Sequence, residues 1–149
     1  MKHLLIAVPL LILPLAFGGC SKSDSGPAEA PPVVPGISEV EPNDAVPQAL
    51  GALGSADLRV NGNCSNGSDV DWFSVALNDT ANLHVSLDWT SGDLDLGVAD
   101  PEGIMVVFRD TGAKPERCTL PLRPPGTYRV RVTSKIAAAT AYTLVVGPR

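Results

Sequence analysis

Leu83-His84-Val85-Ser86-Leu87-Asp88-Trp89 sets an apolar side chain at every second position and a polar one between. Successive strand residues point to opposite faces, so this stretch is predicted to be a strand with one buried face and one wet face. The same period continues on either side. Upstream, Leu58 and Val60 alternate with Asp57 and Arg59, and Phe73, Val75 and Leu77 form another run. Downstream come Leu94, Leu96 and Val98, then Ile104, Val106 and Phe108, then Leu120 and Leu122. Tyr128, Val130 and Val132 follow, and Tyr142, Leu144 and Val146 close the series. Pro101-Glu102-Gly103 and Pro124-Pro125-Gly126 are turn signals between runs. About eight short strands at roughly ten-residue spacing predict an all-β antiparallel sandwich. Lys135 to Thr140 is too short for an independent helix and is predicted to be a hairpin connection.

The 149-residue chain has a net charge of −5, and its Lys and Arg residues are scattered. No basic stripe interleaved with aromatic residues is present, which argues against nucleic acid as a partner. At the N-terminus, Met1-Lys2-His3 precedes an apolar run from Leu4 to Ala16. A positive start, a short apolar run and small residues after it read as a secretory signal. The run is shorter than the roughly 20 residues of a membrane-spanning helix. Gly18-Gly19-Cys20 resembles a bacterial lipobox, although Phe17 stands where leucine is commonest. That resemblance implies that residues 1–19 are removed and Cys20 is acylated. Ser21 in the following position then implies the outer membrane, since inner-membrane retention is typically signalled by Asp. Several acyl chains, at about 0.8 kcal/mol per buried methylene, suffice to hold a small protein on a bilayer. Residues 20–37 are dense in Pro, Ser, Gly and Ala and are expected to be a disordered, semi-stiff tether before a folded domain over 38–149.

With Cys20 assigned to lipid, Cys64 and Cys118 remain. Cys64 shares parity with Leu58 and Val60, and Cys118 with Leu120 and Leu122, so both thiols are expected to face the core. An oxidising compartment permits a disulfide between them, which would stabilise the domain by about 4 kcal/mol. Two unpaired buried thiols are the alternative.

Glu39-Val40-Glu41-Pro42-Asn43-Asp44 brings four oxygen-bearing side chains together before the first long strand, and Asp69 and Asp71 precede Trp72-Phe73. Calcium takes six to eight oxygen ligands from more than one segment, so Glu39, Glu41, Asn43, Asp44, Asp69 and Asp71 form a candidate calcium site. The competing reading is a turn and cap motif, in which Asn and Asp side chains bond nearby backbone amides. Asp93 and Asp95 share a strand face that is expected to be solvated, and His84 is expected to face solvent. Tyr128 reads as a core or corner tyrosine. The chain has no H-E-x-x-H, no G-x-S-x-G and no glycine-rich phosphate loop, and it is expected to be non-enzymatic.

Five stretches in this order resemble the bacterial pre-peptidase C-terminal domain: E-V-E-P-N-D at Glu39 to Asp44, S-D-V-D-W-F at Ser68 to Phe73, L-D-L-G-V-A-D-P-E-G at Leu94 to Gly103, P-G-T-Y-R-V-R-V at Pro125 to Val132, and the closing A-Y-T-L-V-V. The resemblance implies a jelly-roll-like β-sandwich of the kind usually appended, without catalytic function, to secreted hydrolases. Calcium-binding relatives use the acidic N-terminal segment with the acidic residues before the aromatic strand, and the six positions above match that arrangement. The expectation is therefore a lipid-anchored, monomeric binding or structural module, stabilised by calcium and contacting a protein or polysaccharide at the cell envelope. The alternative is an accessory or inhibitor of a secreted protease acting in trans.

Overall fold

Alternating burial carries most of the architecture; Leu94–Ala99 is buried at every position and Met105–Arg109 is largely exposed. The computed structural model describes residues 35–148, so the expected signal peptide, Cys20 and most of the expected tether lie outside the described residues. The strands are β1 (Ile37–Ser38), β2 (Gln48–Ala52), β3 (Leu58–Cys64), β4 (Val70–Leu77), β5 (Ala81–Trp89), β6 (Leu94–Ala99), β7 (Met105–Arg109), β8 (Glu116–Arg123), β9 (Gly126–Ser134) and β10 (Thr140–Gly147). No helix occurs among the described residues. Two five-stranded sheets, β1-β3-β10-β5-β8 and β2-β4-β9-β6-β7, form a sandwich. Phe73, Leu83, Leu87, Leu96, Tyr128 and Leu144 are among the fully buried side chains between them.

All eight predicted strands are present, and two more precede them. β1 pairs parallel to β3 through Ile37↔Val60, so Ile37 belongs to the folded domain and not to the tether. β2 pairs parallel to β4, with a bulge between Ala49 and Gly51. Both sheets are therefore mixed at one edge, where a purely antiparallel sandwich was expected. The antiparallel ladders make up the rest.

Three further expectations are corrected. Lys135–Thr140 joins β9 to β10, which lie in different sheets, so it is a crossover and not a hairpin. On β7 the phase is reversed: Val107 packs against the core, while Ile104 (63% exposed), Val106 and Phe108 (50%) face outward. β8 carries a bulge opposite Ala81/Leu83, and Leu122 there has a positive φ of 48°. A bulge breaks the alternation, and Leu122 is exposed while Leu120 is buried. Tyr128 behaves as expected for a corner tyrosine: it is buried, and its hydroxyl donates to the Pro124 carbonyl oxygen at 3.1 Å.

Cys64 and Cys118 are both buried, as their parity predicts, but both are free. The sheet order explains why they do not pair. β10 and β5 lie between β3 and β8, a lateral separation of about 14 Å at the usual strand spacing. Along the strands, Cys118 is opposite Val85, Val85 opposite Val146, and Val146 opposite Leu58, at the far end of β3 from Cys64. A disulfide needs Cα atoms within about 7 Å, so this topology forbids the bond.

Candidate metal centre

Three inward-facing positions at one end of the core carry polar groups where alternation would otherwise put hydrophobic ones. Asp71 sits on the same side of β4 as Phe73, Val75 and Leu77, and it is fully buried. Cys64 ends the buried series of β3, and Tyr142 begins that of β10. The Tyr142 hydroxyl lies 2.7 Å from Asp71 Oδ2 and 2.7 Å from Glu39 Oε1. The Cys64 thiol donates to Asp71 Oδ2 at 3.3 Å. Gly62, opposite Tyr142 on β3, makes this reach possible: a Cβ there would lie 2.3 Å from Tyr142 Cζ.

The acidic entry segment closes over this network. Glu39 Oε1 accepts from Asn43 Nδ2 at 3.1 Å, and Glu39 Oε2 accepts from the Asn63 backbone N–H at 2.7 Å. Glu41 Oε2 accepts from the Asn43 backbone N–H at 3.0 Å. Glu39, Glu41 and Asp71 thereby bring one carboxylate oxygen each to within 4.8 Å of one another. Asn43 is 1% exposed, and its Oδ1, like Asp71 Oδ1, is buried with no hydrogen-bond partner. Both unpaired atoms are acceptors.

The six predicted ligands thus divide. Glu39, Glu41, Asn43 and Asp71 converge. Asp44 and Asp69 line the adjoining cleft of about 450 Å³, together with Glu39 and Glu41, but each spends an oxygen on backbone. Asp44 Oδ1 accepts from Val70 N–H at 3.2 Å, and Asp69 Oδ2 accepts from Ser65 N–H. Asp69 thus bonds an amide four residues away, as a turn-and-cap motif does, while Asp44 reaches an amide 26 residues away; Glu39 and Glu41 likewise each give one oxygen to backbone. Sequence reasoning missed Tyr142, because its parity is that of a core residue and only its polar tip distinguishes it.

The electrostatics of this network are strained. Burial raises the Asp71 carboxyl to about 7; the Tyr142 hydrogen bond opposes the rise and the Glu39 charge adds to it. Partial burial also raises Glu41, reinforced by the charges of Glu39, Asp69 and Asp44. Burial and the Asp71 charge push the Cys64 thiol and the Tyr142 hydroxyl far up, so both remain protonated. One tyrosine proton cannot serve two carboxylates at once. Either a carboxyl holds a proton or a cation stands among these oxygens. The donor set is all oxygen, anionic and carbonyl in character, which fits a hard cation such as calcium.

A second acidic group lies at the same end of the β2-β4-β9-β6-β7 sheet. Asp95 faces Thr133 on β9, which faces Val70 beside Asp71. The expected solvated face of Asp93 and Asp95 is not found: Asp95 is 5% exposed, and the Lys135 ammonium lies 3.3 Å from its Oδ1 and 3.9 Å from Asp93 Oδ2. Lys135 also pairs with Asp110.

Fold and site together define a two-sheet β-module with an acidic clasp where the chain enters it. Residues 69–134 match the family model for the bacterial pre-peptidase C-terminal domain. The pre-peptidase C-terminal domain of a collagenase from Bacillus anthracis superposes with a TM-score of 0.55 at 12% identity, covering 77% of this chain and 99% of that one. Aeromonas hydrophila PliG, a periplasmic inhibitor of g-type lysozyme, matches with a TM-score of 0.42 at 15% identity, covering 68% of this chain and 98% of that one. No curated protein matches the chain by sequence.

Proposed function

We propose that the chain is a non-catalytic binding module of the cell envelope, held at the outer membrane by acyl groups on Cys20 and stapled by calcium where the tether enters the domain. The observation that carries the staple is the pair of buried, unpaired oxygens, Asn43 Oδ1 and Asp71 Oδ1, beside the converging carboxylates of Glu39 and Glu41. An unsatisfied buried acceptor costs about 1–3 kcal/mol, and a cation removes that cost for both at once. Glu39, Glu41, Asn43 and Asp71 would hold the ion. Its chemistry there would be charge neutralisation and cross-linking of the entry segment to β4. Pre-peptidase C-terminal domains are non-catalytic.

Calorimetric melting with calcium and then with chelator tests the staple: the calcium curve is expected several degrees higher, and superimposable curves would remove the metal. Cys20→Ser tests the anchor by moving the protein from the membrane to the soluble fraction. A pull-down from envelope fractions identifies the partner class, and recovery of a protease would favour an accessory role in trans.

A further inference from the structure

The outward face of the β1-β3-β10-β5-β8 sheet carries a trough of about 500 Å³ that the clasp does not use. Cross-strand register builds it in rows. Val145 on β10 is opposite Arg59 on β3 and Ser86 on β5, and Ser86 is opposite Arg117 on β8. One step along, Thr143 is opposite both Asn61 and Asp88. The floor is the short side chains of β10, and the two exposed arginines stand at its margins, about 14 Å apart across three strand spacings. Neither guanidinium has an ion-pair partner among the described residues, where Lys135 supplies the cation of every salt bridge. This is a cationic pair on a chain of net charge −5.

We propose that the trough binds a linear polysaccharide bearing carboxylates, with Arg59 and Arg117 gripping two of its carboxylates and Asn61, Asp88 and Thr143 meeting its hydroxyls. The proposal rests on the reading of the chain as a binding module and names what the module holds. Guanidinium forks match carboxylates geometrically, which selects an acidic ligand over a neutral one. β3, β10 and β5 each have neighbours on both sides, so a peptide cannot add here as an extra strand through its backbone. Trp89 and Tyr142 touch the trough only with buried side chains, each 4% exposed, too little surface for a platform on which nucleobases would stack.

The test is calorimetric titration of the folded protein with tetragalacturonate, a neutral glucose tetramer and tetraglutamate. Chelator is kept present, so that calcium cannot bridge carboxylates to the protein, and circular dichroism checks folding. Tetragalacturonate is expected to bind, more weakly as salt rises, and to lose about tenfold in affinity in Arg59→Ala and again in Arg117→Ala. Both residues are exposed, so the melting temperature is expected to stay unchanged; Arg129→Ala, on the other sheet, is expected to bind like the parent. Absence of binding at millimolar ligand, equal binding of the neutral tetramer, equal or tighter binding of tetraglutamate, or full affinity in both arginine variants would overturn the proposal. A calcium-insensitive melt with intact tetragalacturonate binding would overturn the staple and leave the trough standing.

Discussion

Two acidic clusters, each built round one buried aspartate at the same end of one sheet, solve the same electrostatic problem differently. Asp95, with Asp93 and Asp110 beside it, is neutralised from within the chain by the Lys135 ammonium. Asp71, with Glu39 and Glu41 beside it, meets only a hydroxyl, a thiol, an amide and backbone N–H groups. Burying a carboxylate is costly unless a positive charge or a full set of hydrogen bonds compensates it. The first cluster carries its cation covalently. The second has converging carboxylates and no ammonium or guanidinium among them, so its charge is met by a proton on a carboxyl or, on the reading proposed above, by calcium from solution.

The comparison breaks most readily through metal. A ligand at a hundredfold excess over its Kd stabilises by about 2.7 kcal/mol, and for a domain of this size each kcal/mol moves the melting temperature by roughly 4–8 °C. Asp71→Asn is expected to abolish most of the calcium-induced rise, whereas Lys135→Met is expected to leave it intact. A calcium response lost in Lys135→Met and kept in Asp71→Asn would reverse the assignment of the two clusters.

Acidity sharpens the contrast next. In chelator, the folded chain holds a proton on Asp71 up to about pH 7, well above the ordinary value of 3.8. Between those limits the folded state binds more protons than the unfolded state, so stability falls as pH rises, by at most about 1.4 kcal/mol per pH unit. The melting temperature in chelator is therefore expected to decline from about pH 4 to pH 7, and the calcium-induced rise to grow over the same window. Denaturant melts at several pH values check this. A calcium-free stability that climbs through that window would contradict the raised carboxyl.

Lys135→Met tests the self-neutralised cluster on a smaller scale. Removing one partner of a fully buried ion pair costs about 3–5 kcal/mol, but Lys135 and Asp110 are partly exposed. Solvent screening brings the expectation down to about 1–2 kcal/mol. The loss is expected to shrink at low pH, where Asp95 takes up a proton; its carboxyl is already raised by burial, against the pull of Lys135.

How far the sequence shows all this depends on whether a feature is local. β3 to β6 and β8 to β10 are legible because each has a period of its own in the sequence. β1 and β2 are not: one is two residues long and the other is broken by the Gly51 bulge, and both exist by pairing parallel to distant strands. On β7, Ile104 to Phe108 is apolar at every position and so has no phase to read; its place at the sheet edge decides which side chains are left outside. The cysteines show the limit most clearly. Parity gives the direction of each thiol, but the two strands between them follow from the sheet order, which no local pattern encodes. Likewise, six candidate oxygens could be read off two segments, while Tyr142, and Lys135 in its alanine-rich crossover, came to the clusters only through the fold.

Tyr142 provides the finest test, because its hydroxyl is a proton donor set between two carboxylates. Its hydroxyl offers one hydrogen to Asp71 and Glu39 together. Without metal, Tyr142→Phe removes that hydrogen and leaves both carboxylates poorer, a loss of about 1–2 kcal/mol for a hydrogen bond to a charged group. With calcium bound, the carboxylates are held by the ion, and the same substitution is expected to cost less than half as much. The measurement is a double-mutant-style cycle with calcium as the second change, read from denaturant unfolding of Tyr142→Phe and parent, each with and without calcium. Equal losses in the two conditions would mean that the hydroxyl and the cation act on different atoms. A smaller loss with calcium would tie the tyrosine to the cluster that lacks a cation of its own.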